Sequence, residues 1–201
     1  LEIDIFAGDG ILNLAEALLG QVLSGHTDPG LTVTVTLGAN VYTALADPTT
    51  GAWSVNIPSN ILQGLLDGNV TIGVSVTDAA GNGVSDSITV AVNTHTLPSL
   101  TLNPLFGDNI LNIAELGIGT PIGGAAANLL VNTPVLVQIG TYVVNGIVNN
   151  DGTWSALIPA NALALLADGT VQVVVSAVDA AGNPASAGGS LEILSHLLPN
   201  P

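Results

Sequence analysis

The feature that most constrains this chain is an internal duplication. GDGILNLAE, residues 8–16, returns as GDNILNIAE, residues 107–115, and the longer stretch 53–82 returns at 154–183 almost without a gap. A repeat of about 100 residues is long enough to bury a core of its own. The duplication therefore predicts two domains of one fold, at residues 1–96 and 97–201.

Each repeat carries the pattern of an antiparallel β protein. LTVTVTLG, residues 31–38, alternates apolar and polar side chains with a period of two, and Gly38-Ala39-Asn40 then turns the chain into VYTALA. Short runs of this kind recur with turn signals every ~8 to 12 residues, which is typical of a Greek-key β-sandwich. The apolar spacing after Pro58 indicates one or two helical turns, with Ser59 or Asn60 as the N-cap. The predicted fold class is all-β, with two tandem sandwiches.

The charge balance narrows the possible partners. The chain has no lysine or arginine against 15 acidic residues, so its formal charge is −15. Such a surface repels phosphate backbones and anionic lipid, which disfavours nucleic acid and membrane surfaces, whereas divalent cations are natural counter-ions. Cysteine is absent, so stability must come from the core or from a bound metal. No apolar run approaches the ~20 residues of a membrane helix, and the missing leader favours a segment from inside a longer protein.

The repeated polar positions supply the oxygen donors that calcium takes. In an extended strand Asp9 and Glu16 would lie roughly 23 Å apart, too far to share one ion, so either the stretch turns or the two carboxylates serve different places. The second is favoured: Asp9 and Asp108 are assigned to the leading tips of their units, and Glu16 and Glu115 to places further along the edge strand. The alternative is that Asp9 ends a turn and Asn13 bonds the neighbouring backbone. The candidate calcium ligands are Asp9, Glu16, Asp67, Asp78, Asp108, Asn109, Glu115, Asp168 and Asp179.

A Greek-key topology also predicts which of these residues meet. The first strand should begin at the end where the last two strands are joined, which places Asp9 near Asp78 and Asp108 near Asp179. The loop 26–28 is expected at that same tip.

The opposite end of the unit holds a different candidate. Asp67 is predicted to face Asp108 of the second unit, where two carboxylates would repel unless a cation lies between them.

The DAAGN loops, residues 78–82 and 179–183, have an alternative role to metal binding. In this interpretation Asp78 and Asn82 close a tight turn by side-chain bonds, with Gly81 in the left-handed region.

The sequence disfavours an enzymatic function. Ser24, His26 and Asp28 are close in sequence, but a catalytic triad needs an oriented base, and the second repeat keeps no counterpart of His26. Two Trp, two Tyr and two Phe are too few for a sugar-stacking cleft. We therefore predict no catalysis and interpret the recurrent Trp53 and Trp154 as core residues.

The order of motifs resembles a known family. GDNILNIAE, LTVTVTLG, GTWSALIP, LLADGT and VDAAGN together are similar to the bacterial immunoglobulin-like repeats of giant RTX-type and biofilm-associated surface adhesins. The resemblance covers both halves nearly end to end. It implies an extended rod of immunoglobulin-like extender modules on the bacterial cell surface, with calcium (Ca2+) rigidifying the junctions between modules. Related repeats often carry aspartate after the last strand, where this chain has Asn93, a poorer ligand.

Two functional hypotheses follow. The first is a structural extender that supports attachment and biofilm formation, a monomer whose partners are the neighbouring repeats and which reaches a host or biofilm surface through other domains. The alternative is a module at the adhesin tip that binds a glycan or a surface protein. Neither predicted tip adds aromatic residues, which favours the extender.

Overall fold

The structure, a computed structural model, describes residues 1–117 and 119–195. It divides into two compact units, Leu1–Thr96 and Leu97–Pro201, and each is an all-β sandwich with only short helices. Within the described part of the chain, no helix combines the length and apolar character that crossing a membrane would require.

Unit 1 has eight strands and two short helices. The strands are β1 Glu2–Ile3, β2 Ile11–Asn13, β3 Gln21–His26, β4 Thr32–Leu37, β5 Asn40–Leu45, β6 Ala52–Ile57, β7 Gly68–Thr77 and β8 Gly83–Asn93, and the helices are α1 Leu14–Leu19 and α2 Ser59–Leu62.

These strands form two sheets, in the orders β1-β3-β6 and β2-β8-β7-β4-β5. The opening segment is shared between them. β1 pairs antiparallel with β3, and the chain then crosses to the other sheet, where β2 pairs parallel with β8. All other pairings are antiparallel. This is an immunoglobulin-like sandwich.

The alternation of apolar and polar residues along the strands determines which side chains form the core. In β4 the side chains of Val33, Val35 and Leu37 are at most 1% exposed, while the threonines between them point away from the core. α2 forms where the sequence predicts it. Its N-cap is Pro58, however, and not Ser59 or Asn60, since no side chain caps it and the Pro58 carbonyl accepts the first N–H groups.

The described elements of unit 2 are β9 Ser99–Leu100, β10 Ile110–Asn112, β11 Thr120–Ala127, β12 Pro134–Ile139, β13 Tyr142–Val148, β14 Thr153–Ile158, α3 Ala160–Leu163, β15 Gly169–Val178 and β16 Pro184–Leu194, with a 3-10 turn at Leu105–Gly107.

Unit 2 repeats the arrangement of unit 1 with one change in pairing. Its strands form a single sheet in the order β10-β16-β15-β12-β13-β14-β11-β9, because the end of β13 also pairs with β14. Gly146 permits this approach, since a Cβ there would lie 2.5 Å from the Ser155 carbonyl oxygen.

The two tryptophans are core residues, as the sequence predicts. Trp53 is 3% and Trp154 1% exposed. Each lies opposite a glycine in the neighbouring strand, Gly25 for Trp53 and Gly124 for Trp154. The missing side chain makes room for both the indole ring and the opening segment of the unit.

We expect Gly25→Ala to destabilise unit 1 by about 1–3 kcal/mol, because the added methyl group would overlap the Glu2 carbonyl oxygen and the Trp53 ring. The measurement is urea unfolding followed by Trp53 fluorescence in a Trp154→Phe background. Gly83→Ala is the matched control, since its Cβ would meet only ordinary contacts at 3.6 Å or more. Equal losses in the two variants would contradict the packing role of Gly25.

Candidate metal sites

The opening motif of unit 1 is a turn followed by a capped helix. The Asp9 carboxylate accepts the backbone N–H of Ile11 (2.8 Å). Asn13 and Glu16 then form a reciprocal capping box: each side chain accepts the other's backbone N–H, both at 3.0 Å. The assignment of Glu16 to an edge strand was therefore wrong. Its carboxylate holds the N-terminus of α1, and LAEALL forms this helix because all its residues are good helix formers.

In unit 2 the same motif ends in a turn. Asp108 accepts the N–H of Ile110 and Glu115 that of Asn112, each at 2.9 Å, so Glu115 is not on an edge strand either. The amide oxygen of Asn109 accepts the N–H of Leu105 (2.9 Å), so it closes its own turn. The described residues that directly follow Asn112 form turns and no helix, and Gly117, a poor helix former, stands where unit 1 has Leu18.

The strand register contradicts one predicted meeting of carboxylates. Gly10, next to Asp9, accepts the N–H of Ala91 near the end of β8, whereas Asp78 precedes the start of β8 at Gly83. The two places are roughly 27 Å apart along the strand. Asp9 therefore does not lie near Asp78. The segment that does reach that end is β1, since Leu1 lines the cavity there.

In unit 2 the outcome is the same. Glu192, near the end of β16, donates its N–H to Asn109, while Asp179 lies before the start of β16 at Pro184. Asp108 therefore does not lie near Asp179. The prediction failed because the opening segment of each unit first pairs with another strand, β1 with β3 and β9 with β11, and reaches the last strand only well past its first residues.

The tip of unit 1 does contain the loop 26–28, as expected. Asp28 and Asp78 line a cavity of about 220 Å³ together with Leu1 and Asn82. Both carboxylate oxygens of Asp78 are engaged by its own loop: Oδ1 accepts the N–H groups of Ala80 and Asn82, and Oδ2 accepts an N–H of the Asn82 side-chain amide. The Asn82 side-chain and backbone donors lower the pKa of Asp78.

Asp179 and Asn183 repeat these bonds in unit 2. The DAAGN loops are thus closed turns, with Gly81 at φ +88°.

Asp67 has a role that local sequence patterns do not indicate. It precedes β7, and its carboxylate accepts the backbone N–H groups of Thr94 (2.7 Å), His95 (3.1 Å) and Thr96 (2.7 Å), the segment that follows β8. Desolvation raises the pKa of Asp67, but these bonds outweigh it and hold the pKa well below its usual range. Asp168 likewise accepts the N–H of Ser195 (2.9 Å). The only sequence signal is that LLADG and LLDG recur together with the closing HTLP and HLLP.

His95 adds a weak partner for this carboxylate. Its Nδ1 lies 3.5 Å from the Asp67 carboxylate and 2.9 Å from the Thr94 hydroxyl, and 55% of the imidazole is exposed.

The candidate ligands do not converge on a metal site within either unit. Over residues 1–117 and 119–195, no group of three or more histidine, aspartate or glutamate side chains is placed to hold a metal ion. Each candidate carboxylate accepts main-chain N–H groups instead. The residues therefore do not fit a calcium site made by one unit alone, and the predicted meeting of Asp67 with Asp108 stays a prediction.

Solved structures provide the comparison with known proteins. A calcium-stabilised adhesin with which an Antarctic bacterium reaches out and binds ice matches 96% of this chain with 27% identity and a TM-score of 0.55. A 1.5-MDa bacterial ice-binding adhesin, studied for its retention on the host cell surface, matches 95% with 25% identity and a TM-score of 0.53. The chain resembles the immunoglobulin-like repeats of giant surface adhesins.

The chain spans 48% and 62% of those two solved chains. Neither a protein-family model nor a curated protein matches it. Both neighbours are adhesins and not enzymes, which agrees with the predicted lack of catalysis without testing it.

We expect Asp67→Asn to lower the free energy of unfolding of unit 1 by about 1–2 kcal/mol at pH 7, because the variant loses the charge that three N–H donors share. The folded-state pKa is lowered, so this stability is present above the unfolded value of about 3.9 and is lost as the pH falls towards the folded value. Urea unfolding across pH measures it.

The control is Asp86→Asn, whose carboxylate accepts only the N–H of the next residue, Ser87. We expect this variant to change the free energy of unfolding by less than about 0.5 kcal/mol. A deficit of Asp67→Asn that stays constant down to about pH 3 would show that the charge of Asp67 does not supply the stability.

Proposed function

We propose that this chain is a pair of structural extender repeats from a large secreted adhesin on a bacterial cell surface, which supports attachment and biofilm formation. The proposal is supported by the duplicated sandwich and by similarity to two adhesin structures across nearly the whole chain. The same comparison supports the extracellular location.

The observation that carries the proposal is the position of the chain ends within unit 1. Leu1 lies at the tip that holds the Asp78 loop. Thr94 lies at the opposite tip, where Asp67 binds it, and β7 (Gly68–Thr77) spans the distance between them, roughly 33 Å. A module whose chain enters at one end and leaves at the other lengthens an array by its full long axis. The bonds from Asp67 also fix the departing segment to its own unit.

The extender role can be tested by replacement in the full-length protein. Exchanging these two units for two unrelated immunoglobulin-like extenders of equal length should preserve attachment of cells to a surface, whereas deleting them should reduce it. A chain that binds a glycan or surface protein itself would lose attachment in the exchange as well as in the deletion. That result would favour the alternative hypothesis.

Calcium rigidifying the junctions remains part of this proposal. It is supported by the uncompensated charge of −15 and by the neighbour described as calcium-stabilised. An ion that binds only to the folded form stabilises that form by mass action. Extracellular modules bind calcium weakly, with Kd values of ~0.1–1 mM.

We therefore expect millimolar calcium to raise the thermal midpoint relative to chelator at fixed ionic strength, by the equivalent of about 1–2 kcal/mol. Magnesium at the same concentration is the control for general screening and should have a smaller effect. Equal midpoints in calcium and chelator would remove calcium from the proposal and leave the extender role standing.

A further inference from the structure

The last strand of unit 2 has an open edge. β15 pairs with β16 along one side, from Pro184 to Ile193. On the other side β10 pairs only with Glu192–Leu194. Among the described residues, no strand pairs with residues 184–191 on that side.

The backbone groups along this edge can be assigned from one bond. Glu192 donates its N–H to Asn109, so the N–H and C=O of Glu192 point away from β15. Because alternate residues of a strand point their backbone groups to the same side, Ser186, Gly188 and Ser190 do likewise. They form a row of donors and acceptors, which is a template for a further strand.

Unit 1 protects the same edge and unit 2 does not. Asp86 of β8 corresponds to Ala187, and its carboxylate accepts the N–H of Ser87 (2.7 Å). Ser87 corresponds to Gly188, so Asp86 occupies one of the edge donors and places a charge beside it. An edge charge of this kind blocks the addition of strands. In unit 2 the edge from Pro184 to Leu191 carries no charge.

A cavity of about 470 Å³ lies beside the open edge. Gly188 and Gly189 line it where unit 1 has Ser87 and Ile88. Two acidic residues, Asp108 and Glu192, also line the cavity, and the chain has no lysine or arginine to neutralise them.

We propose that the edge of β16 binds an extended segment of another protein that carries lysine or arginine. The backbone of that segment pairs with Ser186, Gly188 and Ser190, and a basic side chain enters the cavity against Asp108 and Glu192. A second copy of this chain is the less suitable occupant, because two chains of charge −15 repel each other. This interaction is independent of the extender role.

The test uses the complete two-unit chain and a short blocked peptide of alternating valine and lysine, compared with the same peptide carrying glutamate in place of lysine. We expect the lysine peptide to bind at least about ten-fold more tightly in fluorescence anisotropy. It should also slow hydrogen exchange at the amides of Ser186, Gly188 and Ser190 in NMR spectra. Binding without protection of these amides would overturn the proposal.

Matched substitutions separate edge pairing from simple charge attraction. Ala187→Asp copies the residue of unit 1, but Ala187 is half-buried against the core, so the NMR spectrum of the variant must first show that unit 2 is folded. The folded variant should bind the peptide about ten-fold more weakly although the chain is more acidic. Asp86→Ala should leave binding at the β16 edge unchanged. If Ala187→Asp binds the lysine peptide more tightly than the unchanged chain does, electrostatic attraction alone explains the binding. Self-association of the peptide-free chain that Ala187→Asp abolishes would assign the edge to a second copy instead.

Discussion

This chain has no lysine or arginine, and its main chain takes the place of basic side chains as the partner of many of its carboxylates. Every candidate ligand whose bonds are described accepts backbone N–H groups: one for Asp9, two for Asp78 and three for Asp67. A carboxylate can therefore do locally what a salt bridge does elsewhere, and it holds a turn, a helix start or a departing segment. Such bonds hold the opening turn of each unit, the two DAAGN turns and the segment that follows each last strand.

This use of carboxylates competes with metal binding. A donor N–H and a cation both approach the same oxygen lone pairs, so an aspartate that already closes a turn offers fewer of them to an ion. Asp78 is the clearest case, because both of its oxygens already accept hydrogen bonds from its own loop. The acidic composition by itself is thus weak evidence for the position of a calcium site.

The two units keep one fold but differ at their edges. Asp86 protects the last strand of unit 1, while the corresponding strand of unit 2 carries Ala187 and two glycines. A strand edge open to solvent is a hazard for aggregation unless it is covered or serves a partner. This difference is the basis on which we propose that the edge of unit 2, and not that of unit 1, accepts an added strand.

The sequence by itself determined the duplication, the all-β class, the buried alternation of β4, the core tryptophans and the closed DAAGN turns. All of these depend on residues that are neighbours in the chain or on repetition at a fixed spacing. The tertiary structure alone decided that Asp67 binds residues 94–96, and that Asp9 lies far from Asp78. These outcomes depend on strand register and on where the opening segment crosses between sheets, which are set by packing of the whole core and leave no local pattern.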